Sequence, residues 1–172
     1  MMGYHNNFII DDPMMTKIYD RIAKEENMTL VLDIGSPSMA SCQPEAVYRI
    51  AKKYKNLNIV ICHLLAPTLE DGDYLEKALP LLKHDNVWID LSALPWNVAP
   101  EKYPFPTALE YIKLAKDILG TEKILWGTDT PTVMTKFSYE DLYKFITESD
   151  VFTEKELEDV FYNNALDAYY LK

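Results

Sequence analysis

The chain has 172 residues and a formal net charge of −10, from 17 Lys and Arg against 27 Asp and Glu. Hydrophobic residues make up 48% and charged residues 26%, which is ordinary for globular proteins and excludes disordered, collagen-like and low-complexity classes. No basic stripe offsets the acidic balance, so nucleic acid and anionic membranes are excluded as expected partners. We predict a single domain over residues 1–172.

Cysteine usage and the N-terminal segment predict a cytoplasmic protein. Cys42 and Cys62 are too few for a disulfide framework, which suits a reducing compartment. The first residues have neither a positive segment nor an apolar run typical of a leader. The longest apolar runs are far shorter than the ~20 residues that span a bilayer.

Four short apolar runs, each apolar on both faces, alternate with longer helical patterns. Such runs are typical of parallel strands that are buried on both sides. Strands separated by helices of this length predict right-handed βαβ crossovers and a parallel sheet. The predicted strands are 28–34, 58–63, 86–91 and 123–127.

The predicted helices have recognisable ends. Proline at a first helical position opens three of them, and Gly120 is a C-terminal cap. Ser and Thr followed three residues later by an acidic residue predict two further N-caps. In chain order the helices begin at Pro13 and Pro44, run through Leu75 to Leu82 with a kink at Pro80, begin at Pro106, and follow Ser138 and Thr153 before a last short helix near Leu166.

A polar residue stands at the end of each predicted strand. These residues are Asp33, His63, Asp90 with Ser92, and Asp129. Because the carboxyl ends of parallel strands share one rim, we expect these groups to converge there. Carboxylates and an imidazole in one place are suited to metal binding or acid–base chemistry.

Each of these residues also has a purely structural interpretation. Asp33 and Asp129 would cap the turns that follow them, and His63 would be a hydrogen-bonded structural group. In a further alternative, Asp90 points away from the rim. Trp96 would either line a pocket beside the rim or cover the core. The joint pattern, rather than any one residue, favours the functional interpretation.

Four segments carry a resemblance to a known family. They are Ile-Cys-His-Leu at His63, Val-Trp-Ile-Asp-Leu-Ser ending at Ser92, Trp-Gly-Thr-Asp-Thr-Pro around Asp129, and the closing Asn-Asn-Ala-Leu-Asp-Ala-Tyr. They resemble the C-terminal half of metal-dependent amidohydrolases, in the branch that includes aminocarboxymuconate-semialdehyde decarboxylase. The resemblance implies an α/β fold in which parallel βα units form strands five to eight of a TIM-type (β/α)8 barrel, which as a whole usually needs ~250 residues.

The resemblance also implies a metal site that this chain matches only in part. His63 matches the histidine of strand six and Asp129 the aspartate of strand eight. Asp33 stands where the family has a metal-binding histidine on strand five. The His-x-His pair of strand one has no counterpart, and His5, followed by two asparagines, cannot replace it. The implied cofactor is a divalent metal ion, zinc above others, with Asp129 and Asp33 as ligands.

The implied reaction is hydrolysis by a metal-activated water, whose pKa a bound metal lowers from ~16 towards ~7. In the family pattern Asp129 would accept the proton of this water, and His63 would polarise the substrate carbonyl or stabilise its developing charge. Ser92 and Trp96 are the predicted substrate-binding residues. Two alternatives stay open: a non-oxidative decarboxylase on the same scaffold, or a non-catalytic half-barrel subunit or truncated pseudoenzyme.

The expected partners are a small-molecule substrate and a second protein chain. Four βα units cannot close a barrel of eight strands, so the outer strands would leave unpaired edges and an open apolar face. Such surfaces predict association. We therefore expect a homodimer or a pairing with a complementary half-barrel chain. In the alternative, helices of the same chain fold over the open face and leave a compact monomer.

Overall fold

Four short parallel strands form one sheet in a computed structural model, which describes residue 1 and residues 8–171. The strands are β1 (Thr29–Leu32), β2 (Asn58–Ile61), β3 (Val87–Asp90) and β4 (Ile124–Leu125). They lie in the order β1-β2-β3-β4, and every neighbouring pair is parallel. The predicted α/β class with a parallel sheet is confirmed, although the strands are shorter than the predicted runs. His5 lies outside the described residues.

Helices separate the strands and follow the last one. Within the described ranges, none of them has the length and hydrophobicity needed to cross a bilayer. Short 3₁₀ turns span Cys62–Leu65, Leu79–Leu82, Thr121–Lys123 and Val133–Thr135, and a π-helical turn spans Asp159–Asn163. The α-helices are α1 (Pro13–Ile22), α2 (Pro44–Lys53), α3 (Gly72–Ala78), α4 (Leu94–Asn97), α5 (Pro106–Leu119), α6 (Tyr139–Thr147), α7 (Glu154–Glu158) and α8 (Asn164–Ala168).

The helix ends follow the sequence signals closely. Both predicted N-caps form complete capping boxes, Ser138 with Asp141 before α6 and Thr153 with Glu156 before α7. α3 ends at Ala78, and the predicted kink at Pro80 is a change to a 3₁₀ turn. Among the described residues, the pattern missed the helix α4, which lies between the predicted strand 86–91 and the predicted helix at Pro106.

The two faces of the sheet carry separate apolar clusters. One face, with Leu30, Ile59 and Ile89 among its residues, joins the large core beneath the helices. The opposite face, which was expected to be open, is covered. Its residues Val60 and Trp88 are 0% and 7% exposed and pack in a second cluster with Ala168 of α8. This corrects the expectation of an open apolar face, because the C-terminal helix of the same chain fills it.

Backbone groups also occupy part of each sheet edge. At the outer edge of β1, the Asp33 N–H donates to the carbonyl of Met1 at 2.8 Å, and the amine of Met1 donates to the carbonyl of Val31. At the outer edge of β4, the Trp126 N–H donates to the carbonyl of Val160 at 2.9 Å. Donors and acceptors that an edge strand would offer to another chain are satisfied at these points.

Three buried asparagines tie together the amino ends of the strands. The side-chain nitrogen of Asn86 donates to the carbonyls of three residues in and after α2, at 2.9–3.3 Å. That of Asn58 donates to two carbonyls at the end of α8, both at 3.0 Å. That of Asn164 donates to the carbonyls of Thr121 and Ile124, both at 2.8 Å. These side chains join strands to helices without leaving a carbonyl unsatisfied.

Candidate active site

A cavity of about 430 Å³ opens at the carboxyl end of the sheet. Four residues singled out from the sequence line it together: Asp33, His63, Trp96 and Asp129. Each comes from the segment after a different strand, as expected where parallel strands end at one rim. The other residues of its wall are Gly35, Ser36, Met39, Ala66, Thr68, Ala93, Asn97 and Thr132.

His63 reaches the cavity from an unusual turn. The four residues 63–66 have φ values of 62°, 50°, 66° and 45°, all in the left-handed region. Non-glycine residues in such sparsely populated regions cost roughly 1–3 kcal/mol each and need support from their surroundings. Leu64 and Leu65 give that support because both are 0% exposed. The Ala66 N–H closes the turn on the carbonyl of His63 at 2.7 Å.

Asp90 and Ser92 hold His63 from behind. The Oδ1 atom of Asp90 accepts the backbone N–H groups of His63 and Ser92, both at 2.9 Å, and also the Ser92 hydroxyl. Ser92 Oγ lies 2.7 Å from Nδ1 of His63. The alternative in which Asp90 points away from the rim is therefore wrong. Ser92, predicted to bind substrate, is 6% exposed and lies behind His63 rather than on the cavity wall.

Gly127 allows the segment after β4 to approach this group. A Cβ atom at residue 127 would lie 3.1 Å from Cβ of Ser92, which is closer than side chains normally pack. Local sterics thus explain why the Trp-Gly-Thr-Asp segment has a glycine at residue 127. It brings the chain that carries Asp129 alongside Ser92.

The two carboxylates on the cavity wall have different surroundings. Asp33 is half-buried, and its Oδ1 accepts the N–H of Gly35 at 3.1 Å, so it caps the following turn while it lines the cavity. Gly35 has a φ of 76°, which suits glycine in that turn. Asp129 is exposed and has a φ of 59°. Its carboxylate is therefore the more accessible of the two.

The short helix α4 supplies an aromatic and an amide group to the wall. Nζ of Lys136 lies 3.6 Å from the centre of the Trp96 ring, a cation–π contact that fixes this indole. Asn97 follows on the same helix. Its side-chain nitrogen is buried and has no hydrogen-bond partner among the described residues. The sequence pattern did not indicate Asn97, because α4 itself was not predicted.

The described residues do not form a metal site by themselves. Within them, no group of three His, Cys, Asp or Glu side chains is arranged to hold a metal ion, whereas catalytic zinc takes ~three protein ligands. Burial and then the charges of Asp90 and Asp33 raise the pKa of the Cys62 thiol. Asp33, His63 and Asp129 share the cavity without completing the donor set that the resemblance implies.

Comparison with known protein families identifies the same family that the motifs resemble. A family model described as amidohydrolase matches residues 10–171. The L-fucono-1,5-lactonase of Burkholderia ambifaria is 29% identical over 129 residues, which are 71% of this chain and 41% of that protein. The chain thus spans about two fifths of the length of this relative.

Solved structures match the fold over nearly the whole chain. An amidohydrolase from Burkholderia multivorans with bound zinc gives a TM-score of 0.73 at 19% identity, covering 94% of this chain and 58% of that one. The 5-carboxyvanillate decarboxylase of Sphingomonas paucimobilis gives 0.66 at 16% identity, covering 96% and 56%. Four parallel βα units that match slightly more than half of such chains confirm the predicted half-barrel fold.

Proposed function

The chain belongs to the amidohydrolase family, and from this premise we propose that its cavity is part of a hydrolytic site for a lactone or ester. One observation carries the proposal: His63 and Asp129 line a single cavity at the carboxyl end of the sheet. In α/β folds this end of the strands is where catalytic groups collect. The cavity volume of about 430 Å³ lies in the range of small-molecule sites.

Each catalytic side chain has a separate role in this proposal. The exposed carboxylate of Asp129 accepts a proton from the water that attacks the carbonyl carbon. His63 acts at the oxygen on which negative charge develops. The indole of Trp96 offers a flat apolar wall for the substrate ring. Asn97 lines the cavity beside it, with its unpaired side-chain nitrogen buried. Ser92 acts indirectly, through His63.

The charge of the cavity favours hydrolysis of an uncharged substrate over decarboxylation. The side chains of this chain that would hold the carboxylate of a decarboxylase substrate are Lys and Arg. Among the described residues, those that line the cavity include two aspartates and neither Lys nor Arg. The lactonase relative is consistent with this preference. The substrate class proposed is therefore a neutral lactone.

Groups outside the described residues would complete a metal centre. Asp33 and Asp129 are the ligands that this chain offers, in agreement with the roles that the family pattern implies for them. A second copy of the chain or a complementary half-barrel is the proposed source of the remaining ligands. Light scattering on the purified protein at micromolar concentration tests this assembly: twice the mass of one chain is expected for a homodimer, and a stable monomer contradicts it. The cytoplasmic location stays a prediction.

An assay of lactone hydrolysis tests the proposed function. L-Fucono-1,5-lactone is offered to the purified protein, with and without added zinc, and acid release is followed with a pH indicator. We expect hydrolysis above the buffer rate that His63→Gln and Asp129→Asn abolish. His84→Gln and Asp117→Asn, the same changes outside the cavity, serve as matched controls. Equal rates in all variants would contradict the proposal, and no rate in any condition would favour the non-catalytic half-barrel.

A further inference from the structure

In the hydrogen bonds at Asp90, the carboxylate oxygen can only be the acceptor. Its Oδ1 atom accepts two backbone N–H groups, those of His63 and Ser92, at 2.9 Å each. An oxygen that accepts these donors faces them with lone pairs, because a backbone N–H can only donate. The Ser92 hydroxyl, bonded to the same oxygen, must therefore also donate.

This direction determines which nitrogen of His63 carries a proton. Ser92 has one hydroxyl proton, and that proton is directed to Asp90. Its oxygen therefore faces Nδ1 of His63, 2.7 Å away, with a lone pair. A hydrogen bond across that distance requires a proton on Nδ1. We infer that Asp90 and Ser92 are positioning residues that hold neutral His63 as its Nδ1–H tautomer, with the Nε2 lone pair available to the cavity.

Burial protects the hydrogen bonds of Ser92 from competition by water. Ser92 is 6% exposed, so water does not compete for its hydroxyl. A Cβ atom at residue 127 would lie 3.1 Å from the Cβ of Ser92, so the backbone at Gly127 runs close to this residue. Turning the hydroxyl towards His63 would remove its bond to Asp90. Since Nδ1 is occupied by Ser92, Nε2 is the ring nitrogen left for the cavity that His63 lines.

The consequence for catalysis rests on the proposed function. Neutral His63 has no proton on Nε2 and can only accept there. A proton for the departing oxygen of a lactone must therefore come from the imidazolium form, which gives up its Nε2 proton as the C–O bond breaks. The ring then returns to the Nδ1–H tautomer, while Asp129 keeps the proton taken from the attacking water until solvent removes it.

Nitrogen NMR measures the tautomer without any turnover. A two-bond ¹H–¹⁵N spectrum of the uniformly ¹⁵N-labelled full chain, recorded where histidine is neutral, separates protonated from unprotonated ring nitrogens. The signals of His63 are those that His63→Gln removes. We expect a protonated Nδ1 and an unprotonated Nε2. Ser92→Ala removes the acceptor and should shift the ring towards the Nε2–H tautomer that free histidine prefers. Ser36→Ala is the control, because that cavity hydroxyl bonds Ser38.

The outcomes separate this inference from the proposed function. An Nε2–H ring in the unaltered protein, or an unchanged Nδ1–H ring in Ser92→Ala, would overturn the inference even where hydrolysis is observed. If Ser92→Ala does not fold, as its amide spectrum would reveal, the spectrum of the unaltered protein decides alone. An Nδ1–H ring in a chain without hydrolytic activity would support the inference while the proposed function failed.

Discussion

The two ends of the sheet use polar side chains in opposite ways. At the amino end, Asn58, Asn86 and Asn164 are at most 9% exposed, and each donates at least two hydrogen bonds to backbone carbonyls. At the carboxyl end, the bonds run from Asp90 through Ser92 to His63 and stop at an open cavity. The polar side chains of the amino end are all hydrogen-bonded within the fold. At the carboxyl end, the imidazole of His63 and the carboxylate of Asp129 face the cavity. Barrels of this class divide stability and catalysis in the same way.

The largest expected effect is on catalysis and comes from the carboxyl end. His63→Ala and Asp129→Ala should each lower the rate of lactone hydrolysis by ~10²–10⁴-fold, the usual contribution of a general acid or base. The free energy of unfolding should fall by no more than about 1 kcal/mol, because one hydrogen bond at most is lost. Initial rates and urea denaturation of the same samples measure both quantities. Retained turnover in either variant would contradict the assignment of catalysis to the carboxyl end of the sheet.

The next effect is on stability and comes from the amino end. Asn86→Ala removes a donor from three buried carbonyls. That of Tyr54 keeps the backbone N–H of Leu57, and each carbonyl left unpaired costs ~1–3 kcal/mol before relaxation. We expect a loss of ~2–4 kcal/mol in the free energy of unfolding and an unchanged rate per folded molecule. Asn56→Ala is the matched control, because that side chain is exposed and makes one bond, to the carbonyl of Ala23. Equal losses in both variants would contradict the account.

A smaller effect concerns Glu156, which joins α7 to the segment before β4. Its hydrogen bond to Lys116, followed by the backbone N–H of Thr153, lowers its pKa from 4.5 to about 2. The stabilisation is therefore complete above pH 4.5 and is lost as the pH falls through about 2. Glu156→Gln should cost ~1 kcal/mol at pH 7, the usual value of a cap at a partly exposed site.

The pH dependence makes the Glu156 prediction specific. The difference in unfolding free energy between the unaltered protein and Glu156→Gln should disappear towards pH 2. Glu154→Gln, an exposed residue in the same first turn of α7, should cost less at every pH. A cost for Glu156→Gln that is constant from pH 7 to pH 2 would show that the charge is not responsible.

The smallest expected effect is that of metal removal. Since the described residues contain no group of three suitable ligands, a chelator should leave the thermal midpoint of the isolated chain unchanged. Calorimetry with and without the chelator measures this directly. A drop of several degrees, together with stoichiometric zinc in a protein that light scattering shows to be monomeric, would show that this chain holds a metal centre on its own.

The sequence alone was enough to predict the parallel sheet and the convergence of the main site residues at one end of it. Short apolar runs with helices between them specify parallel strands, and groups that follow such strands must share a rim. Asp33, His63 and Asp129 could therefore be assigned to one place before their distances were known. The capping boxes at Ser138 and Thr153 were equally readable, because their hydrogen bonds are local.

Features that depend on tertiary contacts could not be predicted from the sequence. The left-handed turn after β2 contains Leu64 and Leu65, which carry none of the Gly or Asn signals of positive φ; burial of their side chains holds them there. The direction of the Asp90 side chain depends on the backbone N–H of His63, in the turn after β2. The cover that α8 provides for the second face of the sheet is also a long-range contact, so the face was expected to be open.

An NMR titration tests most directly whether substrate binds at the carboxyl end of the sheet and not at the amino end. L-Fucono-1,5-lactone is added to the ¹⁵N-labelled Asp129→Asn variant, in which hydrolysis should be blocked, and the backbone amide shifts are followed. The account predicts that the shifts are confined to the cavity segments, at residues 33–36, 63–68, 93–97 and 132. Shifts centred on Asn58, Asn86 and Asn164, or no shifts at millimolar lactone, would contradict it.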